Sequence, residues 1–280
     1  MPAVDLLASG PHTIKQLAAL SELPRLEQTM LWEHVLQVPR SWLIGHDTDP
    51  LSAAAVQQFK ALAARRLNGE PMAYIIGKRE FMGHDFIVNP AVLIPRPETE
   101  FLVEQALAQI KGMPNARVLD MGTGSGAVAV SIALARPDVT VIATDISAEA
   151  LAVAQQNAHH LCANVEFLQG SWYDAVSGQT AFDIIVSNPP YIAEHDPHLV
   201  QGDLRFEPAA ALSSAQNGLD DIRQIISGAQ SYLSEAGSIW IEHGWDQAVI
   251  VRSLFTRANF SQPTSIADLA GIPRITGAYI

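Results

Sequence analysis

The sequence predicts a doubly wound α/β domain of mostly parallel strands, preceded by a small all-α domain and a β-hairpin linker. Three observations carry this reading. From Pro97 onward, short β-branched apolar runs alternate with longer alanine- and leucine-rich stretches, the texture of repeated strand and helix units. A glycine-rich turn, Asp120-Met121-Gly122-Thr123-Gly124-Ser125-Gly126, follows the first of those strands. Before Pro71 the apolar residues recur only at helical spacing. The boundaries read as 1–72 for the helical domain, 73–96 for the linker and 97–280 for the sheet domain.

Each element has its own signal. Ile14, Leu17 and Ala18, then Leu31 and Val35, then Val56, Phe59, Leu62 and Ala63, mark short helices punctuated by Pro24, Pro39, Pro50 and Pro71. Tyr74 to Gly77 and Phe81 to Val88 read as two short strands about a glycine-bearing turn. A helix over Glu98–Ile110 follows Pro97. Strands are then predicted at Arg117–Asp120, Val139–Thr144, Val165–Leu168, Phe182–Ser187 and Gly237–Glu242. Helices are predicted at Ala127–Ala135, Ala148–Leu161, Leu219–Leu233 and Gln247–Ala258.

Composition narrows the function classes. Of the 280 residues, 48% are hydrophobic and 16% charged, which suits a globular chain with an ample core. Lysine and arginine number 17 against 29 acids, so the net charge is 17 − 29 = −12, which repels a phosphate backbone. The longest basic clusters are the pairs Arg65-Arg66 and Lys78-Arg79. Cys162 is the single cysteine, so no intrachain disulfide forms and a reducing compartment fits. The start MPAVDLLASG has neither a basic n-region nor a sustained apolar h-region, and no stretch reaches the length of a spanning helix. The expectation is a soluble cytoplasmic protein.

Two motifs carry chemistry. The glycine loop lies at the carboxyl end of a strand, where open α/β sheets bind nucleotides, and its glycines permit positive φ and close approach to a ligand. Asp145 ends the next strand, nineteen positions after Gly126, and can accept both ribose hydroxyls of an adenosine. With Ala127 the loop also fits G-x-G-x-x-A, which keeps a nicotinamide-dependent dehydrogenase open as a rival. The second motif, Asn188-Pro189-Pro190-Tyr191, leaves a later strand of the same sheet. Two prolines end the ladder and stiffen the chain into a ledge. A planar amino group next to a carbonyl is a poor nucleophile with two N–H donors to satisfy. The Asn188 oxygen and the Pro189 carbonyl can accept those hydrogens while Tyr191 packs on the flat group. Catalysis then comes from positioning and electrostatic support, without a strong base. The amino group of adenine in DNA fits the same ledge, but the acidic charge and the lack of a lysine-rich segment count against it. A non-catalytic binding protein is opposed by the intact loop and ledge.

Over nearly its whole length the chain resembles the HemK/PrmC family of protein-(glutamine-N5) methyltransferases, which use S-adenosyl-L-methionine to methylate the GGQ glutamine of peptide chain release factors. The resemblance rests on Gly69-Glu70-Pro71 with Ala73-Tyr74-Ile75, Glu80-Phe81 with Gly83, and Leu93 to Glu100. It continues through the glycine loop, Asn188 to Tyr191 and Arg205-Phe206-Glu207-Pro208. It implies a class I methyltransferase domain in which Gly122, Thr123, Gly124, Ser125 and Gly126 wrap the methionine end of the cofactor. It further implies that Asp145 holds the ribose, Trp172 lies by the adenine, and Asn188 both touches cofactor and orients the substrate amide. The helical domain is implied to help dock the release factor. Ser171 departs from the pattern, standing where many relatives carry an acid before the tryptophan.

Other residues are weighed on their own chemistry. Arg96-Pro97-Glu98-Thr99-Glu100 opens a helix whose start can face an anion such as the cofactor carboxylate. His195 and His198 flank Asp196-Pro197 without the further ligands a metal needs, so a polar substrate loop is the reading there and no metal is expected. Arg205 and Glu207 either order a substrate segment or pair with each other at the surface. Cys162 reads as a packed small residue. Glu242-His243 ends a strand at the crevice edge with no assigned role.

Overall fold

The structure, a computed structural model, describes residues 12–179 and 181–280. The opening segment that the sequence reads as leaderless therefore lies outside the described residues. Two compact units divide the chain, Met1–Ile76 and Gly77–Ile280.

In the first unit the described residues form five helices. Thr13 caps α1 (Ile14–Leu20) through a reciprocal capping box with Gln16. There follow α2 (Arg25–Leu36), α3 (Arg40–Gly45), α4 (Ala53–Leu67) and α5 (Met72–Ile76). Their apolar faces meet around Leu31, Trp32 and Phe59, the last two stacked with centroids 4.1 Å apart. Arg66 of α4 reaches Glu27 of α2 at 2.9 Å. The predicted strand at Tyr74–Gly77 is instead α5. Four apolar residues do not distinguish a strand from one helical turn, and Pro71 accepts N–H bonds from Tyr74 and Ile75 to start that turn.

The second unit opens with the hairpin β1 (Lys78–Phe81) and β2 (His84–Ile87), turning at Met82-Gly83 with both residues at positive φ. The turn thus falls inside the stretch Phe81–Val88 that the sequence reads as one strand, and not between Gly77 and Phe81. Phe81 and Phe86 are buried in the main core, and Asn157 clamps the hairpin by exchanging hydrogen bonds with Ile87.

A 3-10 turn at Pro97–Thr99 leads into α6 (Glu100–Gln109). The sheet units are β3 (Arg117–Met121), α7 (Ala127–Ala135), β4 (Thr140–Asp145), α8 (Ala148–Leu161), β5 (Glu166–Gln169) and β6 (Phe182–Ser187). A connecting region contains a short parallel pair, β7 (Ile192–Ala193) and β8 (Ser213–Ser214). It also contains α9 (Ala209–Leu212) and a distorted turn α10 (Ala215–Gly218). Then come α11 (Asp220–Ala229), β9 (Leu233–Glu242), α12 (Ala248–Arg257), β10 (Ser261–Ala267) and β11 (Pro273–Tyr279). The helix predicted to run to Leu233 stops at Ala229, because the Ser231 and Tyr232 N–H groups turn back onto Gly228 and Ala229 and the Tyr232 carbonyl receives Phe182 N–H at 2.7 Å. Cys162 is exposed rather than packed, since it occupies the left-handed position that ends α8.

The seven-stranded sheet runs β10-β11-β9-β6-β3-β4-β5. Pairs from β9 to β5 are parallel, and β11 is antiparallel to both β9 and β10. Strand alternation sends Val118, Ile184 and Trp240 into one core and Leu119, Ile185 and Ile239 into the other. Helices α6 and α7 cover the first face, α11 and α12 the second. The chain winds outward from β3 to β5, then returns to place β6 on the other side of β3. The order reverses between β3 and β6, and a crevice opens there at the carboxyl ends of the strands. No helix among the described residues is long and apolar enough to cross a membrane.

Candidate active site

Both motifs emerge at that reversal. A cavity of about 480 Å³ is lined by Gly122, Thr123, Gly124 and Ser125 from the loop after β3, by Asp145 at the end of β4, by Trp172 after β5, and by Asn188 and Pro190 after β6. Val92, Pro95 and Arg96, from the segment before α6, and Pro208, Ala210 and Ala211, from the start of α9, also line it.

The glycine loop is tied down from within. Gly122 and Thr123 donate to the Thr144 carbonyl at 2.9 Å, Gly124 donates to Asp145 Oδ2 at 2.9 Å, and Gly126 donates to the Thr123 carbonyl at 2.8 Å. Four of the five loop N–H groups are thus turned inward, so the loop is not the open amide nest that a pyrophosphate needs. This counts against the dinucleotide reading. Gly126 does not line the cavity. At φ 81° it opens α7, and a Cβ there would sit 3.0 Å from the Ala154 Cβ, so this glycine serves helix packing. Asp145 accepts from Gly124 through one oxygen and from the Ser147 N–H at 2.9 Å through the other. A carboxylate has about four acceptor sites, which leaves capacity for a diol. Trp172 takes an uncommon φ of 42° and holds its indole edge against Gly122, 3.5 Å from where a Cβ would stand.

Beneath the loop, Asp120 is buried and receives the Thr123 hydroxyl at 2.6 Å and the Ala129 N–H at 3.2 Å. Burial nonetheless raises its carboxyl to about 7, against those two hydrogen bonds and with help from the charge of Asp145.

The ledge is braced on all sides. Ser187 donates to the Met121 carbonyl at 2.7 Å, locking β6 to β3. Asn188 Nδ2 donates to Thr99 Oγ1 at 3.0 Å, leaving its Oδ1 as the uncommitted acceptor. Pro189 is buried, and Pro190 meets the cavity. Tyr191 does not line the cavity; its hydroxyl donates to Glu242 Oε1 at 3.2 Å, and its carbonyl accepts from Gln247 Nε2 at 3.0 Å. Burial, followed by the nearby Glu242 charge, pushes the Tyr191 phenol well above its ordinary value, so it acts as a neutral donor.

Three residues of this frame carry no signal in local spacing. Thr99, Glu207 and Glu242 are buried polar groups brought to the site by separate elements. Glu207 binds Arg96 and accepts the Ile94 N–H at 3.0 Å. The Arg205 guanidinium lies 4.9 Å over the Phe206 ring. His198 bonds Asp196 at 2.7 Å, and no metal-binding cluster of three or more side chains occurs among the described residues.

The PrmC N-terminal domain family matches residues 11–77, and the Methyltransferase small domain family matches residues 97–259. A release factor glutamine methyltransferase of Bordetella pertussis is 55% identical, covering 95% of this chain and 99% of its own. The chain belongs to the HemK/PrmC family of methyltransferases. Another relative, the release factor glutamine methyltransferase of Escherichia coli, is 45% identical over 96% of each chain. A methyltransferase of Pyrococcus furiosus, 17% identical, shares the fold with a TM-score of 0.51 over 77% of this chain and 95% of its own. The family's cofactor is S-adenosylmethionine, and the cavity fits it: an acceptor for a diol at Asp145, an aromatic wall at Trp172 and a loop that is no phosphate nest.

Proposed function

We propose that this enzyme methylates N5 of the glutamine in the GGQ motif of class I peptide chain release factors and thereby modulates translation termination in the cytoplasm. The observation that carries the reading is the orientation of Asn188. Its Nδ2 is anchored on Thr99, so Oδ1 is the acceptor it offers to a ligand. An acceptor of that kind holds an amide N–H and repels a carbonyl. The Pro189 carbonyl supplies the second acceptor for the glutamine NH₂. Asp145 and Trp172 hold the nucleoside, and Gly122 to Ser125 pass along the methionine end. When bound, S-adenosylmethionine supplies an electrophilic methyl on a sulfonium. The residues of the ledge align the amide nitrogen with it and stabilise the charge that nitrogen gains. The helical unit, Met1–Ile76, docks the release factor. The acceptor is a protein side chain, with no direct nucleic-acid or membrane partner.

Intact-peptide mass spectrometry of a GGQ-bearing release factor, after incubation with enzyme and S-adenosylmethionine, tests this. One added methyl on that glutamine is expected. No gain, with cofactor binding shown by calorimetry, would move the acceptor to DNA or another protein.

Asp145→Ala is expected to weaken S-adenosylmethionine by about 10- to 100-fold, the worth of one or two hydrogen bonds to a charged acceptor. Calorimetry reads this directly, and an unchanged dissociation constant would refute the ribose role.

A further inference from the structure

Glu242 is a buried carboxyl beside the ledge that the reaction as described leaves unused. It ends β9 where Ser187 of β6 pairs with Ile241, so it sits next to the exit of Asn188. It is 2% exposed, Oε1 receives the Tyr191 hydroxyl, and Oε2 has no hydrogen-bond partner. The Thr99 hydroxyl, which takes the Asn188 amide on its lone pair, lies beside the same carboxyl.

We propose that Glu242 is a positioning residue that fixes the direction of hydrogen bonding through Thr99 to Asn188, so that the ledge presents an acceptor to the substrate amide. An ionised carboxylate only accepts. The Thr99 proton, which no other group among the described residues receives, then turns toward the open Glu242 oxygen and leaves the Oγ1 lone pair to Asn188 Nδ2. The Asn188 carboxamide is thereby held with its oxygen toward the cavity. Tyr191, the second hydroxyl on that carboxylate, is held in the same way. A protonated Glu242 instead donates to one of the two lone pairs of Thr99 Oγ1, which frees the Thr99 proton to turn toward the Asn188 carboxamide. The carboxamide then loses its fixed sense and can turn its NH₂ toward an incoming amide, where donor meets donor.

The surroundings set where this change falls. Burial raises the Glu242 carboxyl to about 7, opposed by the Thr99 and Tyr191 hydroxyls. Glu98 raises it further and Arg274 lowers it. Arg96 and Arg274 also face Tyr191. His243, next along β9, has both ring nitrogens engaged, by the Gly244 carbonyl and the Thr276 hydroxyl.

The inference rests on the glutamine reading, and its test separates the two. Glu242→Gln keeps the volume but places a permanent donor beside Thr99. Its turnover is expected to fall by about tenfold or more, as for loss of one preorganised hydrogen bond, with S-adenosylmethionine affinity and peptide KM within about twofold of the parent. Wild-type kcat should rise with pH through about 7, whereas the Gln variant should be flat. Thr99→Ser should retain activity and Thr99→Val should behave as Glu242→Gln. Independently of any substrate, the ¹⁵N side-chain resonances of Asn188 should titrate with the same midpoint in the wild type and not in Glu242→Gln. Wild-type turnover and pH profile in the Gln variant, or Asn188 resonances that do not titrate, would overturn the inference while leaving the methyltransferase reading intact. A wild type that fails to methylate the release factor would sink that reading, and the resonances would still decide the inference. Should Glu242→Gln fail to fold, the Thr99 pair and the wild-type titration carry the test.

Discussion

Asn188→Ala is expected to lower methyl transfer by about a hundred- to a thousandfold, the loss seen when one preorganised polar contact to a developing charge is removed. S-adenosylmethionine affinity should weaken only partly, because on the proposed reading the nucleoside is held by Asp145, which ends β4, and Trp172, which follows β5. The ledge itself should survive. Ser187 still bonds to Met121, and Tyr191 is still held by Glu242 and Gln247. Single-turnover kinetics beside calorimetry would read the two effects separately. Normal turnover in this variant would remove the ledge from the mechanism.

Such a variant could be designed from sequence, because the elements that form the crevice are the legible ones. Helices α7 and α8 and strand β6 fall on the residues that periodicity marks, Ser147 capping α8 and Pro189 closing β6. The strand reversal that unites the motifs follows from parallel winding. The antiparallel β10 and β11 were not anticipated, since SQPTSIA and PRITGAY carry prolines and alternate weakly. Their pairing with β9 is a tertiary fact. The same holds for the frame under the ledge. Asn188 and Thr99 are 89 residues apart, and Tyr191 and Glu242 are 51 apart, so no local spacing reports either contact. Glu242-His243 could be placed at the crevice edge, but its partners were beyond reach of pattern. The glycine loop shows the converse case. Its spacing permits both a dinucleotide and a nucleoside, and only the inward turn of its N–H groups separates them.

Glu207→Ala is expected to be the most damaging change to the walls of the cavity. The Glu207 side chain is fully inaccessible, with one oxygen on the Arg96 guanidinium and the other on the Ile94 N–H. Those partners belong to the segment bearing Pro95 and Arg96, while Pro208, Ala210 and Ala211 follow Glu207 and line the same cavity. One carboxylate therefore staples two walls that have no secondary structure in common. Truncating one member of a buried pair costs about 3–5 kcal/mol. Arg96 retains 31% side-chain exposure and can regain some hydration, which places the cost toward the lower end of that range. For a unit of this size, about 3 kcal/mol lowers the thermal midpoint by roughly 6–12 °C. Scanning calorimetry would show it, and an unchanged midpoint would refute the staple. Activity should separate the walls from the floor. With the walls loosened, KM for the release factor should rise several-fold more than the dissociation constant of S-adenosylmethionine, whose proposed holders Asp145 and Gly124 lie on the β3 and β4 side. Equal losses in both would mean that Glu207 supports the whole cavity and has no special bearing on the acceptor side.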